Sequence, residues 1–546
     1  MKFLSVAFFA LLAAVTGAAA QASGLPAQHA YSADALRGRI VGALSPHAIV
    51  KVHVLLYGNH ENELEHFIAM QNQQGSPAFE RYLTPQEFGS YFGADRSTYE
   101  RSMRILRGAG FTIVETANNR RDIVAQAPAS TVEAFFQTPI DVHVLGTRAF
   151  FANRYEPVIP AALHAEVVAG LSNFRVMHSH RRVNPHGYYG GYVSFAPADL
   201  AVLYDLNPLY TAGLNGKGIT LVNATSGAAT ASDLAGFEKT FKLPAVKLLC
   251  KAIDSSTCST TCGASCDNGE STLDVDAATS VARNVTFLQV VAATPNDFND
   301  VYKYIADSLG GTDHVVTTSW GTCEQDSGGS DLTLDETYFK QAATEGQWWF
   351  SAAGDNGTDD CQDMATKAVS VDYPGSSDYV VSVGGTDVHV KQTPGTYKVT
   401  AYVSESVWQY GNCGSSGSGS NGAGGGGKSI VFTKPSYQTA ITPKDGRRDV
   451  PDVSLVSDDI NNGLYVYQNG KIQGGNGGTS EAAPQWAALL SIVEQKKGNF
   501  KLVVDPHTRL YALGAPSTRA KYFHDVAGGN NGVPKCVGDI AVFPGY

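Results

Sequence analysis

Two hydrophobic patterns divide the chain. Before residue 175 the apolar positions come in short alternating runs. The stretch 51–57 (Lys-Val-His-Val-Leu-Leu-Tyr) reads as a strand, and similar runs recur at 112–115, 122–127 and 140–145. Helical spacing marks 61–72, 96–108 and 130–136, so the order predicts a compact α+β unit ending near Phe174.

From about residue 192 the apolar runs lose their alternation. They fall at 219–223, 285–292, 314–319, 348–353 and 380–383, with helical stretches such as 297–309 and 332–345 between them. Strands apolar on both faces and separated by helices predict an α/β domain, a doubly wound parallel sheet covered on both sides. Active sites in such sheets lie beyond the carboxyl ends of the strands. Between the two patterns, 175–191 is rich in His, Arg, Gly and Tyr and has no apolar period. It is expected to be an exposed linker that proteases can cut.

The first residues change the picture of location. Lys2 precedes an apolar run over 3–15, and small residues at Ala18, Ala20 and Ala22 offer cleavage sites, so 1–22 reads as a signal peptide. A membrane anchor would need about 20 apolar residues. The organisation expected is therefore signal peptide 1–22, a first domain 23–175, a linker 176–191 and a main domain 192–546. The mature protein is expected to be secreted, extracellular and monomeric, without a membrane partner.

Eight cysteines in 546 residues suit an oxidising compartment. Cys323 and Cys361 are candidates for one local bridge, while Cys250, Cys258, Cys262 and Cys266 lie too close together to pair from sequence. Their spacing and the lack of a nearby histidine disfavour zinc. The formal charge is −11, unevenly spread: residues 1–189 carry 16 basic and 14 acidic side chains, and 190–546 carry 24 and 37. A mildly basic first part facing an acidic second part suits docking that weakens as carboxylates protonate. The acidic main domain argues against nucleic acid as a partner. Gly422 to Ser429 matches the phosphate-loop pattern, but no strand precedes it and Pro435 prevents a helix after it, so nucleotide binding is rejected.

The strongest chemical signal is Gly477-Gly478-Thr479-Ser480-Glu481-Ala482-Ala483-Pro484. It places Ser480 on a glycine-rich turn above a helix expected over 482–496, whose N-terminus offers positive dipole to an oxyanion. A plain serine cap is the alternative. The histidines of the main domain, His314, His389, His507 and His524, lack any His-Gly-Thr-His context, so a histidine base is missing. Glu270 and Asp274 stand four apart on a helix expected over 270–283, on one face and partly buried. Two such carboxyls do not both ionise easily, and a carboxylate base implies work at acid pH. Asp276 points elsewhere. Asp355 follows the apolar run 348–353, where a protonated carboxyl could donate to an oxyanion.

These motifs resemble those of the sedolisin (serine-carboxyl peptidase) family, and Arg81-Tyr-Leu-Thr-Pro-Gln-Glu-Phe88 resembles its prokumamolisin-type activation prodomain. Ser194 to Tyr210, with Pro197-Ala198-Asp199-Leu200, is similar to the start of the mature enzymes. The resemblance implies a subtilisin-like catalytic domain preceded by an α+β ferredoxin-like prodomain that inhibits in the same chain. It implies Ser480 as nucleophile, Glu270 as general base, Asp274 as its orienting partner and Asp355 at the oxyanion. Ser319-Trp320-Gly321 would bind substrate backbone, with Trp320 lining a pocket. One structural calcium is implied at Asp525, Val526, Phe543 and Gly545. Its last aspartate would fall at position 547, so the chain is expected to be truncated, or Asp539 or the Tyr546 carboxylate to substitute.

The function expected is an acid-active endopeptidase zymogen that processes itself, acting on protein or peptide substrates. Protonation of His178, His180 and His186 beside Arg181 and Arg182 is expected to loosen the linker. A histidine-based hydrolase and a non-catalytic peptide-binding protein are the rivals. Asn223, Asn284 and Asn356 lie in glycosylation-type triplets.

Overall fold

A computed structural model describes residues 38–183, 194–253, 266, 269–361, 369–410, 422–498 and 504–532. The signal-peptide segment lies outside them. No helix among the described residues is long and apolar enough to cross a membrane.

The first module is built on a four-stranded antiparallel sheet in the spatial order Thr112–Thr116, Asp122–Pro128, Ile49–Leu56, Ala165–Ala169. Helices Glu61–Asn72 and Arg96–Gly108 follow the Ile49–Leu56 strand, and Ala129–Phe136 precedes the last strand. Numbered along the chain the strands lie 2-3-1-4, the order of a ferredoxin-like split βαβ unit. Val52, Val54, Ile123, Ala125, Phe136 and Val168 fill its core. One face of the sheet packs under the module's own helices, while Leu55, Val167 and Ala169 on the other face join the core beneath Phe298–Leu309 and Gly329–Thr344.

The second module carries an eight-stranded sheet. Its order is Lys247–Ala252, Thr286–Val291, Thr220–Thr225, Val315–Thr318, Trp348–Ala352, Val380–Gln392 and Val399–Val407, with Val453–Val456 also pairing with Val380–Gln392. All pairs are parallel except the last hairpin. Successive residues of each strand enter different cores. Val222, Val316, Trp349 and Val380 pack under Phe298–Leu309 and Gly329–Thr344. Leu221, Val315, Phe350 and Val381 pack under Glu270–Val281 and Thr479–Lys497. Burial on both faces is why these strands carry no alternation. Val380–Gln392 runs well beyond the expected 380–383, because Gly384 and Gly385 interrupt the apolar run without interrupting the pairing.

The first module docks on the helices Phe298–Leu309 and Gly329–Thr344. Lys51 and His53 both reach Asp300, and Tyr338 donates to Asp122 at 2.6 Å. The backbone N–H groups of Asn118 and Asn119 donate to Asp307 at 2.6 and 2.8 Å, and Arg175 pairs with Asp335 at 2.6 Å. Burial disfavours charge on His53, but the Asp122 and Asp300 carboxylates outweigh it and raise the imidazole pKa to about 10.

The expected exposed linker is only partly exposed over its described half. His178, Ser179 and Val183 are exposed, whereas Arg175, Met177 and His180 are buried, and the chain from His178 to Val183 pairs with strands of the second module. Polar composition concealed this, since the pairing uses backbone rather than an apolar face. Residues 184–191 lie outside the described set.

Candidate active site

The helix Glu270–Val281 begins after Gly269, which holds φ at 84°. Every residue of this helix is buried, not one face as the sequence suggested, because the sheet, the helix Thr479–Lys497 and the strand Leu464–Gln468 enclose it. Asp276 faces away from the pair and accepts the Tyr467 N–H at 2.8 Å. Asp274 accepts from Asn223 Nδ2 at 2.8 Å and from the Ser319 hydroxyl at 2.6 Å, so both its oxygens are fixed. Burial and the neighbouring Asp274 charge push the Glu270 carboxyl well above the usual carboxylate range, and burial does the same to Asp274. The Ser480 hydroxyl and the Arg181 guanidinium lie close enough to temper the shift on Glu270. Burial thus favours the neutral form of both carboxyls, and their titrations are coupled.

Ser480 is the second residue of the helix Thr479–Lys497, inside the first turn rather than ahead of it. Gly478 caps the helix at φ 92°, and a Cβ there would fall 2.1 Å from the His180 carbonyl oxygen, so only glycine lets a peptide pass. Pro484 has no N–H to return to the Ser480 carbonyl. Ser480 Oγ is buried and makes no hydrogen bond of standard geometry.

Asp355 follows the strand Trp348–Ala352, as its position in the sequence suggested. Its Oδ1 accepts from Thr479 N–H at 2.7 Å and Thr479 Oγ1 at 2.9 Å. Oδ2 makes no hydrogen bond and lies 3.5 Å from Arg182 Nε. Burial raises its pKa against the pull of Arg182, which favours the neutral acid that can donate through Oδ2.

Segment 178–183 crosses these groups in an extended conformation. His178 and Ser179 pair antiparallel with Gly321 and Trp320, and the His180 N–H donates to the Ser319 carbonyl at 3.1 Å. Arg182 and Val183 pair with Gly477 and Asn476. Between these two clamps the Ser480 N–H donates to the His180 carbonyl at 3.4 Å. The Ser179 hydroxyl donates to Glu270. Arg181 donates to Asn476 Oδ1 at 2.7 Å, and its guanidinium lies against Gly269, where a Cβ would stand 1.6 Å from Nη1.

Ser319, Trp320 and Gly321 thus meet peptide backbone through their own backbone. The Trp320 ring packs on Phe298 and its Nε1 donates to Thr225 at 3.2 Å. The triplet at Asn223 is likewise no glycosylation site in the folded chain, because that residue is fully buried against Asp274. Gly427–Thr433, the end of the phosphate-loop look-alike, is a strand. Cys323 and Cys361 are disulfide-bonded. Of the calcium set, Asp525 is ion-paired with Arg519 at 3.0 Å, and Phe543, Gly545, Asp539 and Tyr546 lie outside the described residues. No three acidic, His or Cys groups gather as a metal site among the described residues. The donors in view do not make a calcium site by themselves.

Fold and site together define a peptidase with a serine at a helix N-terminus, buried carboxyls beside it and a segment of the same chain in its cleft. Residues 37–174 match the family described as Pro-kumamolisin, activation domain. Sedolisin of Pseudomonas sp. (strain 101) is 27% identical over 497 residues, covering 86% of this chain and 80% of that one. Xanthomonalisin of Xanthomonas sp. (strain T-22) is 29% identical over 549 residues, covering 91% of this chain and 63% of that one. The solved structure of Pseudomonas sedolisin, a serine-carboxyl proteinase complexed with two molecules of pseudo-iodotyrostatin, superposes with a TM-score of 0.54 at 26% identity. That match covers 63% of this chain and 90% of the solved one. Over most of its length the chain is thus similar to serine-carboxyl peptidases of the sedolisin kind, and over residues 37–174 to the activation domain.

Proposed function

We propose that this chain is the secreted zymogen of an acid-active endopeptidase that uses Ser480, Glu270, Asp274 and Asp355. The observation that carries the reading is the docked segment itself, with a peptide carbonyl held on the Ser480 N–H between two backbone clamps. In the proposed reaction Ser480 Oγ attacks that carbonyl carbon and its proton passes to Glu270. Asp274, pinned by Asn223 and Ser319, holds the Glu270 carboxyl in place and keeps the pair's charge at one. The oxyanion accepts the Ser480 N–H and the Asp355 acid proton. Collapse breaks the C–N bond, and Glu270 returns the proton to the departing amine. Water then hydrolyses the acyl-enzyme with Glu270 again as base.

Endopeptidase action is favoured because the cleft accepts chain on both sides of the bond. Upstream the chain runs on without interruption, and the Met177 N–H donates to the Pro295 carbonyl at 3.0 Å. A peptide blocked by acetylation at its N-terminus should therefore be cut internally. Release of only short fragments from free N-termini would argue for an exopeptidase.

The deciding experiment compares the precursor with Ser480→Ala at about pH 4, near the carboxylate range. The parent should shorten near residue 180 and digest casein, and the variant should do neither. Shortening of the purified variant would remove Ser480 from the role. A structural calcium ion near Asp525 is part of the proposal but of no chemical step. A chelator should lower the melting temperature by several degrees if the ion binds the native state at well above its Kd, and an unchanged melting curve would discard it.

A further inference from the structure

Arg181 follows the carbonyl held on the Ser480 N–H, so its side chain occupies the position just beyond the bond proposed for cutting. That side chain enters a recess bordered by Gly269, Gln468 and Asn476 of the second module. Its Nη2 donates to Asn476 Oδ1 at 2.7 Å and to Gln468 Oε1 at 3.2 Å. Asn476 is fully buried, and its Nδ2 donates to the Gln473 carbonyl at 3.2 Å, which aims Oδ1 at the guanidinium. Gln468 ends the strand Leu464–Gln468, and Asn476 lies in the paired strand Lys471–Gly477. Neither amide has a part in the proposed proton transfers.

The third wall is bare backbone. A Cβ on Gly269 would stand 1.6 Å from Arg181 Nη1 and 2.8 Å from its Cζ, so only glycine leaves room for the flat group. A planar guanidinium can lie against such a wall while its edge meets two acceptors, whereas an ammonium is a compact point charge. Gly269 also precedes the helix Glu270–Val281, whose N-terminus disfavours a cation. The attraction therefore comes from the Glu270 and Asp274 carboxyls, which lie close enough for the guanidinium to favour their ionised forms. All three walls belong to the second module, so the recess stays with the enzyme when the segment leaves.

Resting on the proposed function, we infer that Gly269, Gln468 and Asn476 form a subsite for an arginine side chain on the amine side of the cut bond. An arginine there is favoured twice. Two amide carbonyls accept from it, and its charge settles beside the base that must be ionised to act. Substrates with arginine directly after the bond are preferred over those with a neutral residue.

The test gives the processed enzyme blocked peptides at about pH 4, near the carboxylate range. They differ only in the residue after the bond: arginine, citrulline or leucine. Masses of the products identify the bond that is cut. Arginine should exceed leucine in kcat/KM by roughly tenfold or more, because a site built to hydrogen-bond a side chain rejects one that cannot. It should also exceed citrulline, which keeps the shape and loses the charge. Gln468→Leu should narrow the arginine-to-leucine ratio severalfold. Should that variant misfold, the ranking in the parent decides alone. Equal turnover of arginine and leucine, or of arginine and citrulline, overturns this inference and leaves the proposed function standing. An unchanged ratio in folded Gln468→Leu does the same. Absence of Ser480-dependent turnover on every peptide removes both.

Discussion

Ser179 places its hydroxyl on Glu270, the group proposed to take the proton of Ser480. While that bond lasts, Glu270 is engaged by the docked segment and Ser480 Oγ lacks a well-formed partner. Ser179→Ala should therefore speed the first cut. A hydrogen bond to a charged group is worth about 1.5–3 kcal/mol, so an increase of roughly tenfold is expected. An unchanged rate, measured by the appearance of the shortened chain, would show that Ser179 does not restrain the base. Asp274→Asn should lower kcat by roughly a hundredfold, the lower range for acid–base groups. It also removes a negative neighbour that raises the Glu270 pKa, so the limb of the pH profile set by base ionisation should move to lower pH. A fall in kcat with an unmoved limb would make Asp274 merely structural. Ser480, Glu270, Asp274 and Asp355 were legible in the sequence because motif and spacing mark them. Asn223 was not, since a polar residue in a strand gives no sign of what it faces, and its triplet pointed to glycosylation instead.

At the scale of elements the apolar pattern served well where one face is buried. The helices Glu61–Asn72 and Arg96–Gly108 fall on their expected bounds, and the strand Ile140–Leu145 does too. It served less well for Glu270–Val281, whose threonines, serines and aspartates looked solvated but are satisfied by neighbouring elements. That helix depends on Gly269 for its start. Gly269→Ala must hold a side chain at φ 84°, a strain of roughly 1–2 kcal/mol. Its Cβ would also displace the Arg181 guanidinium. The variant precursor should melt several degrees lower and lose its linker from the cleft more readily, read as faster cleavage of the 176–183 segment by an added protease. Equal protease sensitivity would show that Arg181 does not anchor the segment.

Across the whole molecule, acid does not loosen every docking contact. His53 gains its proton more readily in the docked state, so its contribution is complete below pH 6.5 and is lost only as pH rises through about 10. Asp300 is held below the usual carboxylate range by His53 and Lys51 although burial opposes this, so its contribution survives a fall to pH 4. The pairs Lys340–Glu65, Lys497–Glu80 and Lys303–Glu115 also cross the interface, but partly exposed pairs contribute only about 0–1 kcal/mol each. The expectation that acid by itself undocks the prodomain and opens the linker is therefore reversed at these contacts. After the cut, the two pieces should stay together on gel filtration at pH 4, and Asp300→Asn should let them separate. Immediate separation of the parent pieces would locate the acid trigger elsewhere in the interface.

The strand that fills the cleft belongs to the same chain as the cleft. Its local concentration is fixed by covalent connection and does not fall when the solution is diluted. The precursor therefore carries its own clock: the first cut should be unimolecular, with a half-time unchanged over a hundredfold range of protein concentration. Once cut, the same peptide becomes an ordinary ligand, and how long the new enzyme stays silent depends on how thinly its environment is spread.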